Sequence, residues 1–263
     1  SDEMVDRLLR ASGGEEHFPH VEFVGFAAFN SSLDDIVERA EQRGLCLVGL
    51  WGMSEMQALV ARRDRDDPPL MRKRGGGRLV SARAEVRVRH PETGELCTEG
   101  VPGELEIRGP SMMSEYLDDA EATANTLTSD GFVRTGDLAA LEPGGAFHYL
   151  TRMGDVLRLG GYLVNPAEIE AEVLSHPSVS GVQVVAAPVA GADRAVSFVI
   201  PAAGAAVDAA EIQAHCARRL AKYKVPARVL TVSAFPVTDS PNGMKVQRAK
   251  LRQMALDALR DDG

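Results

Sequence analysis

The stretch SDGFVRTGDLAALEPGGAFHYLTRMGDVLRLGGYLVNPAEIE, residues 129–170, decides how the fold is read. It holds a Thr-Gly-Asp turn at 135–137, a Gly-Gly hairpin turn at 144–145 and a second Gly-Gly at 160–161. Between the two pairs stands Arg152, followed by Gly154-Asp155. Glycine admits backbone angles closed to other residues, so each pair predicts a reversal of the chain. The stretch ends on a helix start, with Asn165 as N-cap, Pro166 at the first helical position and Glu168 three residues after the cap. Each piece alone is ordinary in a soluble protein. Their order carries the information.

Toward the N-terminus the texture is α/β. Residues 2–10 predict a helix with Val5, Leu8 and Leu9 on one face. Residues 17–29 (HFPHVEFVGFAAF) run into a strand, and Ser31 or Ser32 caps a helix through Arg43 whose Leu33, Ile36, Val37 and Ala40 repeat at helical spacing. LCLVGL, 45–50, is wholly apolar, as a buried parallel strand requires. Strand, helix and strand make one βαβ unit, a small part of a doubly wound sheet. Residues 59–109 then alternate apolar and polar, with PETGE as a hairpin turn and Gly75-Gly76-Gly77-Arg78 as a turn between strands, which predicts antiparallel β. DDAEATANTL, 118–127, is a short helix.

Toward the C-terminus, VQVVAAPV and AVSFVIP are strands, Asp208 and Glu211 open a helix with Ile212, Cys216 and Leu220 on one face, ARVLTVSAF is a strand and KVQRAKLRQMALDALR a closing helix. Two or three strands and three helices in roughly 110 residues make a compact α+β domain, with a boundary near 152–155.

Composition excludes several function classes. Lys plus Arg number 29 and Asp plus Glu 38 among 263 residues, a formal charge of −9 that argues against nucleic acid held by bulk charge. Cys46, Cys97 and Cys216 form no CxxC pair and read as reduced thiols. The six histidines lack metal-ligand spacing. No apolar run approaches a membrane span and no signal-peptide core opens the chain, so a soluble, cytoplasmic protein is expected. There is no GxSxG or HExxH, which removes the common hydrolases.

Trp51-Gly52-Met53-Ser54-Glu55 follows directly on the buried strand, and ligands of open α/β sheets bind at the carboxyl ends of strands. A flat ring suits stacking, a hydroxyl can donate to an anion, and a carboxylate is a hard ligand for a hard cation. A core Trp beside an exposed Glu is the bland alternative. Together with the 129–170 stretch and with PVTDSPNGMKVQRAKLR near the end, this order of motifs resembles the adenylate-forming superfamily of acyl-CoA synthetases, peptide-synthetase adenylation domains and luciferases.

The resemblance covers essentially the whole chain and implies the following. Trp51 lies against adenine, with Gly52 and Met53 beside it, Ser54 reaches the α-phosphate and Glu55 helps to hold Mg²⁺. Gly25 and Ala27 of GFAAF border adenine and the acyl pocket, although Phe26 and Ala28 depart from the family's pattern. Asp137 holds both ribose hydroxyls and Arg152 makes a second ribose contact. Gly154 stands where the family has an Asp or Lys pivot, and Gly160, Gly161 and Tyr162 match the loop that meets CoA. Lys245 matches the lysine that bridges carboxylate and α-phosphate during adenylation. Met244 stands between Gly243 and Lys245, a departure of one residue from the family's Gly-Lys spacing.

The fold implied is an α/β remnant with an antiparallel β subdomain (1–152, the end of a large AMP-binding domain), followed by a small mobile α+β domain (153–263). The activity implied is acid–CoA ligation with ATP, Mg²⁺ and CoA, the acid apolar (fatty or aromatic) if Phe26, Phe29, Trp51 and Met53 line its pocket. Family members carry a Ser/Thr/Gly-rich phosphate loop ahead of this region. The sequence has no such loop, so it reads as the C-terminal half of a ligase, inactive by itself. Two rival readings are an adenylation domain loading a carrier protein and a non-catalytic piece that associates as a homodimer through an exposed sheet edge.

Overall fold

The computed structural model describes residues 1–11, 18, 20–28, 33, 35–240 and 243–261, and of 239, 240, 243–245 and 261 the backbone alone. The chain divides into two compact units, Ser1–Met153 and Gly154–Gly263. Among the described residues no helix is long and apolar enough to cross a membrane.

The first unit opens with α1 (Asp2–Ala11), then β1 (Val24–Phe26), α2 (Ile36–Glu41) and β2 (Leu47–Met53), with β1 and β2 parallel. This is the βαβ unit read from the sequence. The buried face of α1 differs from the expected one: Val5 and Leu9 are buried with Asp2 and Asp6, while Leu8 is 41% exposed. Arg39 of α2 explains the buried acid, donating to Asp6 at 2.6 Å. Asp35 takes the N-cap position of α2 without a side-chain cap bond, and the expected cap at Ser31 or Ser32 lies outside the described residues. Val5, Leu9, Phe26, Ile36, Val37, Ala40, Leu45 and Leu47 form one core.

The β texture that follows is part of the same sheet. Strands β3 (Ala58–Arg62), β4 (Gly76–Leu79), β5 (Glu85–Arg89), β6 (Gly103–Arg108), β7 (Val133–Glu142) and β8 (Ala146–Arg152) complete eight strands in the order β1-β2-β3-β4-β8-β7-β6-β5. The short helices α3 (Pro69–Arg72) and α4 (Ala120–Thr126) lie in the connections, α4 capped by Asp119 accepting from the Ala122 N–H. Two expected turns are strand instead. Gly76 and Gly77 form β4, because Cβ atoms there would stand 2.2 Å from the Phe147 carbonyl oxygen and 2.1 Å from that of Arg62. Thr135-Gly136-Asp137 lies inside β7, where Gly136 at φ +67° lets the strand bulge between its pairings to Glu104 and Glu106. Gly144-Gly145 does turn the chain from β7 to β8. Val88, Leu105, Ile107, Val133, Ala139, Phe147 and Trp51 fill the second core.

The second unit has more strands than the sequence suggests. Besides the sheet β11 (Val179–Val189), β12 (Ala192–Pro201) and β13 (Arg228–Thr231) there are two hairpins, β9–β10 (Leu157–Leu159, Tyr162–Val164) and β14–β15 (Val237–Ser240, Gly243–Val246). Helices α5 (Pro166–Leu174), α6 (Ala209–Ala217) and α7 (Arg248–Asp261) cover the sheet. Asn165 caps α5, its side chain accepting from Ala167 N–H, while Glu168 pairs with Lys224 rather than closing a capping box. Val182 and Val184 face a core with Ile169, Val173, Ile212 and Cys216, and the alternate Val185 and Ala187 face one with Leu251 and Ala255 of α7. The sheet is therefore apolar on both faces, which is why its strands read as nearly continuous hydrophobic runs.

Candidate functional site

In the first unit the carboxyl end of β2 leads into a 3₁₀ turn at Ser54–Met56, closed by left-handed Gln57 (φ 57°). Gly52 is required at the bend, since a Cβ there would meet the Ala58 carbonyl oxygen at 1.7 Å. Beside this turn is a cavity of about 390 Å³ lined by Met53, Glu55, Glu104, Tyr116, Asn125, Thr126, Arg134, Thr135, Gly136 and Arg152. It draws on β2, β6, β7, the end of β8 and α4.

Two residues 86 positions apart, each close in sequence to residues that line the cavity, meet in the core. The Trp51 indole N–H donates to Asp137 Oδ2 at 2.9 Å, and the ring sits edge-on against Phe147, centroids 5.5 Å apart. Trp51 is 6% exposed and belongs to the core, so the stacking surface expected of it is almost wholly taken up by the protein. Asp137 is 3% exposed, and its N–H donates to Thr135 Oγ1. Arg152, opposite Asp137 in the β7–β8 register, brings Nη1 to 3.1 Å from Asp137 Oδ1. That nitrogen is angled to the Thr135 carbonyl, so Oδ1 is a buried acceptor with no hydrogen-bond partner among the described residues. Burial pushes the Asp137 carboxyl above its usual range, with Arg152 and Trp51 pulling the other way.

Glu55 projects from the turn to the cavity wall, where Oε1 accepts from the Tyr116 hydroxyl at 2.7 Å. The Glu55 carbonyl accepts from Met113 N–H at 2.7 Å, tying the turn to the β6–α4 connection. Donation of its hydroxyl to the Glu55 carboxylate pushes the Tyr116 phenol up. Burial raises Glu104, which faces Arg134 across the cavity edge. Tyr116, Glu104 and Arg134 were not singled out by the sequence. Glu104 alone leaves a signal: with Glu106 it lies in phase on a strand whose other face is apolar. Among the described residues no three His, Cys, Asp or Glu side chains could hold a metal by themselves. Glu55 suits a different arrangement, in which one carboxylate joins phosphate oxygens around a hard cation.

Of the predicted residues, the structure brings Trp51, Met53, Glu55, Asp137 and Arg152 together. Ser54 is exposed on the same turn, and Gly52 is at the bend. Gly25 and Ala27 lie on or beside β1 and are not in the cavity wall; a Cβ on Gly25 would strike Leu50. Phe26 is 2% exposed in the α/β core, so it does not line an acyl pocket, and Phe29 lies outside the described residues.

In the second unit Gly154 starts the chain in a 3₁₀ turn, Met153–Asp155, with open space around it. Gly160 and Gly161 (φ +59° and +85°) form the β9–β10 turn. Tyr162 is 59% exposed and stacks on Tyr223 with centroids 4.7 Å apart. Lys245 lies on β15 opposite Thr238, so the closing helix expected from Lys245 onward begins only at Arg248.

A family model described as "AMP-binding enzyme" matches residues 2–117, and one described as "AMP-binding enzyme C-terminal domain" matches 168–241. A 4-coumarate–CoA ligase-like protein of Oryza sativa subsp. japonica is 33% identical over 80% of this chain and 37% of its own length. The crystal structure of ATP-bound MatB from Rhodopseudomonas palustris superposes with a TM-score of 0.81 at 27% identity, covering 98% of this chain and 50% of that one. An O-succinylbenzoate coenzyme A synthetase from Bacillus subtilis, in complex with ATP and magnesium ion, gives 0.73 at 25% identity over 89% of this chain and 47% of its own. The chain thus spans half or less of the length of these relatives.

Proposed function

The chain belongs to the adenylate-forming, AMP-binding enzymes, and on that premise we propose that the whole protein is an acid–CoA ligase acting in two half-reactions. The observation that carries this reading is Asp137: a buried carboxylate, oriented by Trp51, next in sequence to the cavity-lining Gly136, with Oδ1 lacking a hydrogen-bond partner among the described residues. A ribose offers two adjacent hydroxyl donors, which match the acceptor Oδ1, and Arg152, 3.1 Å from that oxygen, would sit beside them. Glu55, held by Tyr116, is placed to share Mg²⁺ with ATP phosphates, the cation offsetting their charge. One solved relative is a complex with ATP and magnesium ion, which supports ATP and Mg²⁺ as the ligands.

In the first half-reaction a carboxylate oxygen attacks the α-phosphorus, the bond to the bridging oxygen breaks and pyrophosphate leaves. Lys245 neutralises charge developing on the phosphate. In the second, the CoA sulfur attacks the acyl carbon and AMP leaves. Gly154 is the pivot by which the second unit withdraws Lys245 and presents Gly160, Gly161 and Tyr162. The work is positioning and electrostatics. CoA is chosen over a carrier protein as acceptor because the relatives' names are those of CoA ligases. For the acid, the 4-coumarate–CoA ligase-like relative favours an aromatic carboxylate, with a fatty acid as the alternative.

The test is acid-dependent exchange of labelled pyrophosphate into ATP by the whole protein. Lys245→Ala should abolish exchange and spare thioester formation from supplied acyl-adenylate. Loss of both half-reactions together would remove Lys245 from the adenylation step, and absence of exchange in the unaltered whole protein with fatty and aromatic acids would sink the ligase reading.

A further inference from the structure

Strand β11 is an edge strand, bonded only to β12 in its sheet. An edge strand leaves every second residue's N–H and C=O without a ladder partner, a cost when those groups are buried. Val184 is 0% exposed and meets that problem. Its N–H donates to Glu170 Oε1 of α5 at 2.9 Å, and its carbonyl accepts from Arg248 Nη1 of α7 at 2.9 Å. The two side chains close on each other, Arg248 Nη1 donating to Glu170 Oε1 at 2.9 Å and Nη2 to Oε2 at 3.4 Å. Glu170 is 5% exposed. The pair replaces a missing strand at one residue, and so locks the first residue of α7 to the sheet by several bonds.

Arg248 stands three residues after Lys245. The β14–β15 hairpin that carries Lys245 has, among the described residues, backbone hydrogen bonds only within itself, the last being Gln247 N–H to the Pro236 carbonyl at 2.8 Å. Its base rests on the core through Phe235 and Val246. A hairpin anchored at one end takes its direction from that anchor.

We infer that Arg248 is a positioning residue for Lys245: by clamping the Glu170 carboxylate and the Val184 edge it sets the direction of the β14–β15 hairpin. The function of the clamp rests on the proposed role of Lys245; its mechanical part does not. Lysine cannot replace it fully, since a point charge on a flexible stem does not reproduce the planar fork that serves carboxylate and carbonyl at once.

The first measurement is amide hydrogen exchange of this chain, wild type against Arg248→Lys and Glu170→Gln, the latter keeping an acceptor for Val184 N–H. The hairpin amides of 237–247 should exchange about tenfold faster, with β12 amides unchanged. Equal acceleration of hairpin and β12 would mean that Arg248 merely holds the unit together, and an unchanged hairpin would mean that it holds nothing there. Either result overturns the inference. In the whole protein, Arg248→Lys should lower the adenylation kcat by up to about 100-fold, the effect of an ångström-scale misplacement, with the KM for ATP and thioester formation from acyl-adenylate nearly unchanged. A parallel fall in both half-reactions also overturns it. Absence of adenylation in the wild-type protein would instead count against the ligase reading, leaving the exchange result to judge the clamp.

Discussion

Trp51→Phe keeps an aromatic ring and removes the N–H that Asp137 Oδ2 accepts at 2.9 Å. A hydrogen bond to a charged acceptor contributes about 1.5–3 kcal/mol, and a carboxylate that is 3% exposed has no ready water to replace it. The smaller ring also loses part of its edge contact with Phe147, worth about 1 kcal/mol. A loss of about 3 kcal/mol from a unit of this size lowers Tm by roughly 6–12 °C. The hydrogen-bond share is isolated by a cycle with Asp137→Ala, in which the coupling should be about 2 kcal/mol. Urea titration of all four proteins, followed by circular dichroism, measures it. In the whole protein the same change should weaken ATP binding about tenfold, because one 1.4 kcal/mol step in orienting Asp137 is a factor of ten. Coupling below about 0.5 kcal/mol, the scatter expected of independent sites, would refute the argument that Trp51 serves as the orienting group of Asp137.

Asp137→Asn should stabilise the first unit at neutral pH while weakening ATP binding. The Asp137 carboxyl is raised, chiefly by burial, so its stabilising contribution is complete below about 3.8 and is lost as pH rises through its folded value. Tm profiles of the two proteins should therefore converge in acid; a variant less stable than wild type at pH 7 would contradict the burial argument. His148 behaves oppositely: burial, with Arg74 and Arg63 adding to it, lowers it from 6.5 to about 4. The unfolded chain binds the extra proton between those values, so stability present above 6.5 falls toward pH 4 by roughly 3 kcal/mol, and His148→Gln should flatten that part of the urea-midpoint profile. Gly77→Ala places a Cβ 2.1 Å from the Arg62 carbonyl oxygen at φ +99° and should cost more than about 3 kcal/mol, read as a failure to show a cooperative transition at 37 °C. An alanine variant within about 1 kcal/mol of wild type would mean that β3 and β4 can separate without loss.

Much of this molecule was legible locally. Apolar runs at 24–26 and 47–50, helical spacing at 36–40 and the Asn165-Pro166 start each state their own conformation, because burial period and capping act over a few residues. The Gly-Gly pairs at 144–145 and 160–161 likewise turn the chain where they stand. Gly76-Gly77 shows the limit: the same residue type marked close backbone packing against Arg62 and Phe147, and only the neighbouring strands could say so.

What tertiary structure alone decided is which side chains meet. The sequence placed Trp51 as a stacking surface and Phe26 near an acyl pocket; packing turned the first into the hydrogen-bond partner of Asp137 and put the second in the α/β core. Residues 51 and 137, or 170 and 248, come together through strand register and helix docking, which sum many weak contacts spread along the chain. Local propensity determines that a strand or helix exists. Only the paired strands and docked helices of each unit leave buried Asp137 Oδ1 without a hydrogen-bond partner and direct Arg248 onto Val184.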